Sequence, residues 1–291
     1  MKKIMLLVDV KSWAWGIKAR YIQKYLNGNF SVDIRYMDDG DPVPREDTHD
    51  LYVTFWTRHL SHIERFPIEK RITGITSLAA YKRIIGMNFD NKCAAFHANN
   101  MELYTLARSN HSKVYYVPNG VDTSLFKPKN RIPKGNLIIG YVGKRDNIKG
   151  YNSIIINISK YERGIILKTN TNRWNKATPH IEMPDFYNSI DVYIVASLAE
   201  GTPNPALEAA ACGKPIISTK VGNMPEFIEH GKNGFLVNRN INDFVNKIKQ
   251  LKSNPDKCLE MGKNARKQAE KWDWKIQSEN YRKMFKEVLN L

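Results

Sequence analysis

Apolar positions along this chain fall into two alternating patterns. The short runs "KIMLLVD", "VDIRYM", "LYVTFW", "KRITGITS", "CAAFHA" and "KVYYV" are rich in β-branched and aromatic residues and predict strands. Between them, "GIKARYIQKYL", "LAAYKRII" and "MELYTLA" place apolar residues three and four apart, the period of a helix with one buried face. A second set of runs follows, "NLIIGYV", "GIILKT", "DVYIVAS", "KPIIST" and "NGFLV", and from Ile241 onward the pattern is helical throughout. Strands that alternate with helices predict an α/β fold with parallel sheets, because parallel neighbours need a crossover connection. The break between the two sets falls at residues 119–135, where Asn-Gly, prolines and lysines read as a linker. The expected organisation is a first domain over 1–118, a second over 136–270 and a last helix over 271–291. In that last helix Trp274, Tyr281 and Phe285 share one face.

One stretch, "AEGTPNPALEAAACGKPIISTKVG" at 199–222, points to chemistry. Between two strand runs, Asn204 suits an N-cap, Pro205 the first helical position and Gly213 the C-terminal stop, which predicts a helix over 205–212. The free N–H groups at the start of such a helix, at the carboxyl end of a strand and with Gly201 allowing close approach, suit a phosphate. Glu200 and Glu208 bracket that cradle. Each has a plain reading, a solvated loop charge for Glu200 and macrodipole stabilisation for Glu208. Together beside a phosphate site they also suit a ligand that carries sugar hydroxyls.

The longer segment "EGTPNPALEAAACGKPIISTKVGNMPEFIEHGKNGFLV" resembles the carboxyl-terminal signature of the retaining family 4 glycosyltransferases: Glu, seven residues, Glu, a small-residue helix, a strand and a turn, here "VGNMPEFI". "YYVPNGVDTSLFKP" and "IIGYVGKRDNIKG" are similar to that family's exit from the first domain and first strand of the second. The likeness runs over about residues 114–237 and is one of pattern upstream of Val114. It implies the GT-B fold, two facing Rossmann-like domains, with the last helix returning to the first.

The resemblance also implies site roles. Lys144 stands at the family's Arg position, with Arg145 beside it and Lys149 before the next Gly; these cations face the donor pyrophosphate and stabilise the charge of the leaving group. Glu200 would hold sugar hydroxyls and Glu208 the ribose. Gly143, Gly201, Thr202, Pro203, Asn204 and Pro205 would line the phosphates. Gly16 is what this chain offers for the family's Gly-rich loop after the first strand. The donor would be a UDP- or GDP-sugar, and no metal or other cofactor is implied. The family's first-domain histidine has no counterpart in "RITGITSLAA", which leaves His59, His62 and His97 as substitutes or as surface and packing residues. Trp13 and Trp15 either stack on an acceptor or close the domain edge.

Composition narrows this little. No run of 18 apolar residues predicts a membrane span, and the chain reads as soluble and cytoplasmic, or peripheral on the inner membrane face. The start "MKKIMLLVDV" is read as a strand because Asp9 interrupts the apolar run. Cys93, Cys212 and Cys258 match no zinc spacing, and "DDGD" at 38–41 reads as a solvated loop. The net charge of +16 attracts polyanions: nucleotide phosphates, an anionic membrane or nucleic acid. The charge does not choose among them; the resemblance implies a glycan or lipid-linked acceptor. A DNA glycosyltransferase acting on a hydroxylated base, a sugar-nucleotide epimerase and an inert sugar-nucleotide-binding protein stay open as alternatives.

Overall fold

Every strand that the apolar runs predict forms, and each is parallel to its neighbours. The computed structural model describes residues 1–84, 91–129, 135–171 and 178–291. It divides into two units, Met1–Gly120 with Trp274–Leu291, and Val121–Asp273.

The first unit contains β1 (Lys2–Val8), α1 (Ala14–Leu26), β2 (Phe30–Tyr36), β3 (Leu51–Thr54), β4 (Arg71–Ile75), α2 (Leu78–Ile84), β5 (Ala95–Ala98), α3 (Met101–Arg108) and β6 (Val114–Tyr116). Its six-stranded sheet has the order β2-β1-β3-β4-β5-β6. The chain therefore goes from β1 to one side and then returns past it to β3, which makes the gap between β1 and β3 a topological switch point. Ligands of open parallel sheets bind at such points, outside the carboxyl ends of the strands.

The second unit contains β7 (Leu137–Val142), α4 (Ile158–Tyr161), β8 (Ile165–Asn170), α5 (Met183–Asn188), β9 (Val192–Val195), α6 (Asn204–Ala211), β10 (Ile216–Thr219), α7 (Met224–Phe227), β11 (Gly234–Val237), α8 (Ile241–Lys252) and α9 (Pro255–Lys271). Its sheet order is β11-β10-β9-β7-β8, so here the switch point lies between β7 and β9.

Helix α10 (Trp274–Val288) closes the chain within the first unit. Trp274, Tyr281, Met284 and Phe285 are buried; the last three pack with Ile4, Leu6, Val8 and Ile22 of β1 and α1. Burying a large apolar side chain contributes about 1.5–3 kcal/mol, so this face is sufficient reason for the helix to dock. Gly120 is required at the crossing, because a Cβ there would stand 2.8 Å from Trp274.

Residues 121–129 of the segment read as a linker belong to the second unit, and 130–134 lie outside the described residues. Val121 and Phe126 are buried in its core, and the Arg266 guanidinium donates to the Phe126 carbonyl at 2.7 Å and to that of Ala211 at 2.8 Å. The proline and Asn-Gly signals mark the turn, but the apolar side chains within it decide where it packs.

Candidate functional site

At the switch point of the second unit, the loop after β7 meets the loop after β9. Gly150, at φ 71°, brings them together: a Cβ on it would lie 2.4 Å from the Ala196 carbonyl oxygen. The Leu198 N–H donates to the Ile148 carbonyl at 2.7 Å. Arg239, after β11, donates to the carbonyls of Ala196 at 3.0 Å and Asn147 at 2.6 Å, and so fixes both loops.

This packing delivers the predicted cations. Lys144 follows Gly143, whose φ of 151° suits only glycine, and its carbonyl accepts the Tyr141 hydroxyl at 2.6 Å. Arg145 donates to the Thr171 hydroxyl at 2.7 Å and lies over the Tyr151 ring. Lys149, its N–H held by Asp146 at 2.7 Å, donates its ammonium to the Glu200 carboxylate. The same carboxylate oxygen accepts the Ser197 hydroxyl at 2.7 Å. Glu200 and Lys149 side chains are 12% and 29% exposed, so the pair is partly buried between the two loops.

Helix α6 begins one residue earlier than predicted. Its bounds are Asn204–Ala211, and Pro203 is its N-cap, so Asn204 is the first helical residue and the predicted start at Pro205 is corrected. A proline at the cap gives up only an N–H that the helix does not use, and the Pro203 carbonyl opens the ladder by accepting the Ala206 N–H at 2.8 Å. Gly213 stops the helix at φ 73°. The helix is small-sided because it lies against α9: a Cβ on Gly262 would be 2.3 Å from the Gly213 carbonyl oxygen. Gly201 and Thr202 precede it. The turn at Gly222, φ 53°, braces that loop, since a Cβ there would be 2.5 Å from the Gly201 carbonyl oxygen and 3.2 Å from the Glu200 Cβ.

Glu208 projects from α6 and accepts the Tyr187 hydroxyl at 2.5 Å and His180 Nε2 at 3.1 Å. Burial, and after it the charge of Glu208, raise the Tyr187 phenol well above its ordinary range, so it remains a donor. Each carboxylate oxygen keeps a further lone pair for another hydroxyl. Its two partners exclude the plain macrodipole reading as the whole of its role.

Lys144, Arg145, Lys149, Glu200, Gly143, Gly201, Thr202, Pro203, Asn204, Pro205 and Glu208 all belong to the second unit, whereas Gly16 is in the first. Gly16 sits in α1, where a Cβ would be 2.3 Å from the Val10 carbonyl oxygen, so close packing requires a glycine there. His97 is buried in β5 and shares a hydrogen bond with the Thr54 carbonyl at 3.2 Å. Burial, and then Lys18, push its pKa down to about 3, so the ring stays neutral. His59 and His62 lie in the 3-10 helix Thr57–His62 that follows β3. Sequence reading missed Ser197, His180, Tyr187 and Arg239. Only Ser197, three residues before Glu200, had a local signal, as a hydroxyl poised to bond within its own turn.

Residues 167–268 match the family described as glycosyl transferases group 1. The D-inositol 3-phosphate glycosyltransferase of Corynebacterium jeikeium is 32% identical over 111 residues, which are 38% of this chain and 26% of that protein. The matched stretch thus spans about a quarter of the curated relative's length. In fold, the sucrose-phosphate synthase of Thermosynechococcus elongatus superimposes with a TM-score of 0.82 at 15% identity, over 99% of this chain and 100% of that one. Anabaena HepE in complex with UDP-glucose gives 0.78 at 16% identity over the whole of both chains. With two parallel sheets of Rossmann type, the chain has the GT-B fold, and residues 167–268, within its second unit, are similar to the group 1 glycosyl transferases of family 4 type.

Proposed function

We propose that this protein transfers a sugar from a nucleoside diphosphate donor, a UDP- or GDP-sugar, to a hydroxyl of a glycan or lipid-linked acceptor, with retention of configuration. The observation that carries this is the meeting of Lys149 and Glu200 at the β7/β9 switch point, directly before the N-terminus of α6. An ammonium and a carboxylate in one crevice, beside the start of a helix, suit a ligand with phosphate at one end and sugar hydroxyls at the other.

In this reading the Thr202 hydroxyl, whose oxygen has no partner among the described residues, takes a phosphate oxygen at the start of α6, where Gly201, Pro203, Asn204 and Pro205 line the approach. Glu208, oriented by Tyr187 and His180, accepts the ribose hydroxyls. Lys149 exchanges Glu200 for the diphosphate, which frees Glu200 to accept hydroxyls of the sugar. Lys144 and Arg145 add positive charge where the leaving diphosphate becomes more negative. The anomeric carbon–phosphate oxygen bond breaks, the bond to the acceptor oxygen forms, and the acceptor proton passes to the departing phosphate oxygen. No carboxylate nucleophile is then needed. The sugar transferases among the similar proteins favour this over epimerisation or inert binding.

Incubation with labelled UDP- and GDP-sugars tests it. Release of a nucleoside diphosphate that rises with added acceptor supports transfer. An epimerised donor, or a donor bound and recovered unchanged with every acceptor, overturns it.

A further inference from the structure

A cavity of about 320 Å³ opens where β10 and β11 end, at one edge of the second unit's sheet. Leu236 and Val237 of β11 give it an apolar wall, and Lys220 after β10 and Asn238 after β11 stand at its sides. Asp243, Asn246 and Lys247 line it from α8, where their spacing of three and four residues puts them on one face. None of these residues belongs to the donor site proposed above.

Charge around this cavity is unbalanced. Lys249 and Lys252, on the same helix, both reach Glu162, at 3.5 and 2.6 Å. Lys247 makes no ion pair among the described residues; its ammonium lies over the Phe235 ring, 4.8 Å from the centroid. Lys220 makes none there either. Asp243 does not neutralise them, because its Oδ2 is engaged by the Asn238 N–H at 3.1 Å and by Asn238 Nδ2 at 2.9 Å. The first of these bonds, with the others, holds its carboxyl below the usual range, so it stays an acceptor. Two ammonium groups without a carboxylate in ion-pair contact thus line one small cavity.

We propose that this cavity binds the phosphate monoester of a small polyol, with the phosphate between Lys220 and Lys247 and the hydroxyls on Asp243 and Asn246, and that its occupancy steadies the donor loops. The ammonium groups are charge-assisted donors for phosphate oxygens. A carboxylate and an amide beside them accept from hydroxyls, and the amide also donates. The volume is at the lower end for small-molecule sites, which suits a phosphorylated triose or pentose rather than a stretch of polymer.

The link to the donor loops runs through sequence neighbours and rests on reading the second unit as the donor site. Asn238 is followed by Arg239, which holds the carbonyls of Ala196 and Asn147. Lys220 is two residues before Gly222, which packs against the Gly201 carbonyl and the Glu200 Cβ. A ligand that ties Lys220 to α8 therefore orders the segments on which both donor loops rest. A nucleotide that finds them ordered loses less entropy when it binds.

The test is an NMR titration of the full chain with glycerol 3-phosphate and ribose 5-phosphate, beside inorganic phosphate, glycerol and ribose. At least one ester should bind about tenfold more tightly than inorganic phosphate or its own uncharged polyol, with shifts centred on 220, 238 and 243–247. Lys220→Gln and Lys247→Gln should each weaken it about tenfold, as for a lost charge-assisted hydrogen bond, and leave the affinity for UDP or GDP alone unchanged. Asn246→Ala should weaken the ester but not inorganic phosphate. With the ester saturating, calorimetry should give a nucleotide affinity raised about fivefold in the parent and unaltered in the lysine variants. Inorganic phosphate that binds as tightly as the esters, or esters that bind both lysine variants as well as the parent, overturn the site. So does binding of a short DNA duplex that depends on the same two lysines. Ester binding that leaves nucleotide affinity unchanged overturns the coupling. If neither UDP nor GDP binds the parent, the donor reading falls instead, and the ester titration without nucleotide still decides the cavity.

Discussion

Lys149 donates its ammonium to the Glu200 carboxylate, joining the loops that follow β7 and β9 across the switch point of the second unit. In the proposed reading the ammonium turns to phosphate and the carboxylate to sugar hydroxyls when the donor binds. Substituting either should act mainly on turnover. Lys149→Ala is expected to lower kcat by about 10²–10³, the usual effect of removing one preorganised charge partner of a transition state. Glu200→Ala should lower kcat more than it changes nucleotide affinity. Steady-state release of nucleoside diphosphate, beside calorimetric titration with UDP and GDP, separates the two effects.

Glu208 is expected to behave the other way. Its carboxylate is fixed by Tyr187 and His180, so Glu208→Ala should weaken nucleotide binding by roughly 10- to 100-fold, as for a lost hydrogen bond to a charged group. Tyr187→Phe, which leaves the carboxylate but removes one of its donors, should have a smaller effect. Unchanged affinity in Glu208→Ala would remove its ribose role.

Gly222 links fold to site. At φ 53° and against the Gly201 carbonyl, Gly222→Ala must shift the loop that carries Gly201 and Thr202. It should lower stability by about 1–3 kcal/mol and weaken nucleotide binding with it. A crystal structure or a thermal melt with and without UDP checks this; a variant that melts and binds like the parent would show that the turn does not brace the loop.

Lys18 gives a pH signature. It is buried on α1 between the rings of Phe55 and Tyr281, 4.9 and 5.3 Å from their centroids, near His97, and burial lowers its pKa to about 7. Between pH 7 and the ordinary lysine value of 10.5 the unfolded chain therefore holds a proton that the folded chain lacks, so stability rises with pH across that window. Lys18→Met should stabilise the first unit by the order of a few kcal/mol below pH 7, with the gain shrinking as pH climbs. Denaturant melts of both proteins at pH 6.5 and pH 9 measure it; a gain that does not depend on pH would contradict a charge-burial origin.

Most of the fold was legible because parallel strands buried on both faces read as continuous apolar runs, and each run from β1 to β11 formed where the pattern placed it. The last helix was legible for the same reason, through Trp274, Tyr281 and Phe285. The site was legible only where it is local. Glu200, Glu208 and the basic loop announce themselves by spacing, but His180 and Tyr187 reach Glu208 from 28 and 21 residues away, and no local pattern encodes that. The start of α6 was misplaced by one residue because Pro203 and Asn204 both suit a helix entry, and backbone geometry, not side-chain preference, chose between them. Arg239 holds the loops through two carbonyls, contacts that any arginine could make and no sequence motif marks.

The anomeric configuration of the product tests the central proposal most directly. Proton NMR of the reaction with an α-linked UDP- or GDP-sugar and a pyranoside acceptor should reveal an α-glycoside appearing in step with nucleoside diphosphate, and Lys149→Ala and Glu200→Ala should slow both signals together. A β-glycoside would contradict retention, and an epimerised donor with no new glycosidic linkage would contradict transfer itself.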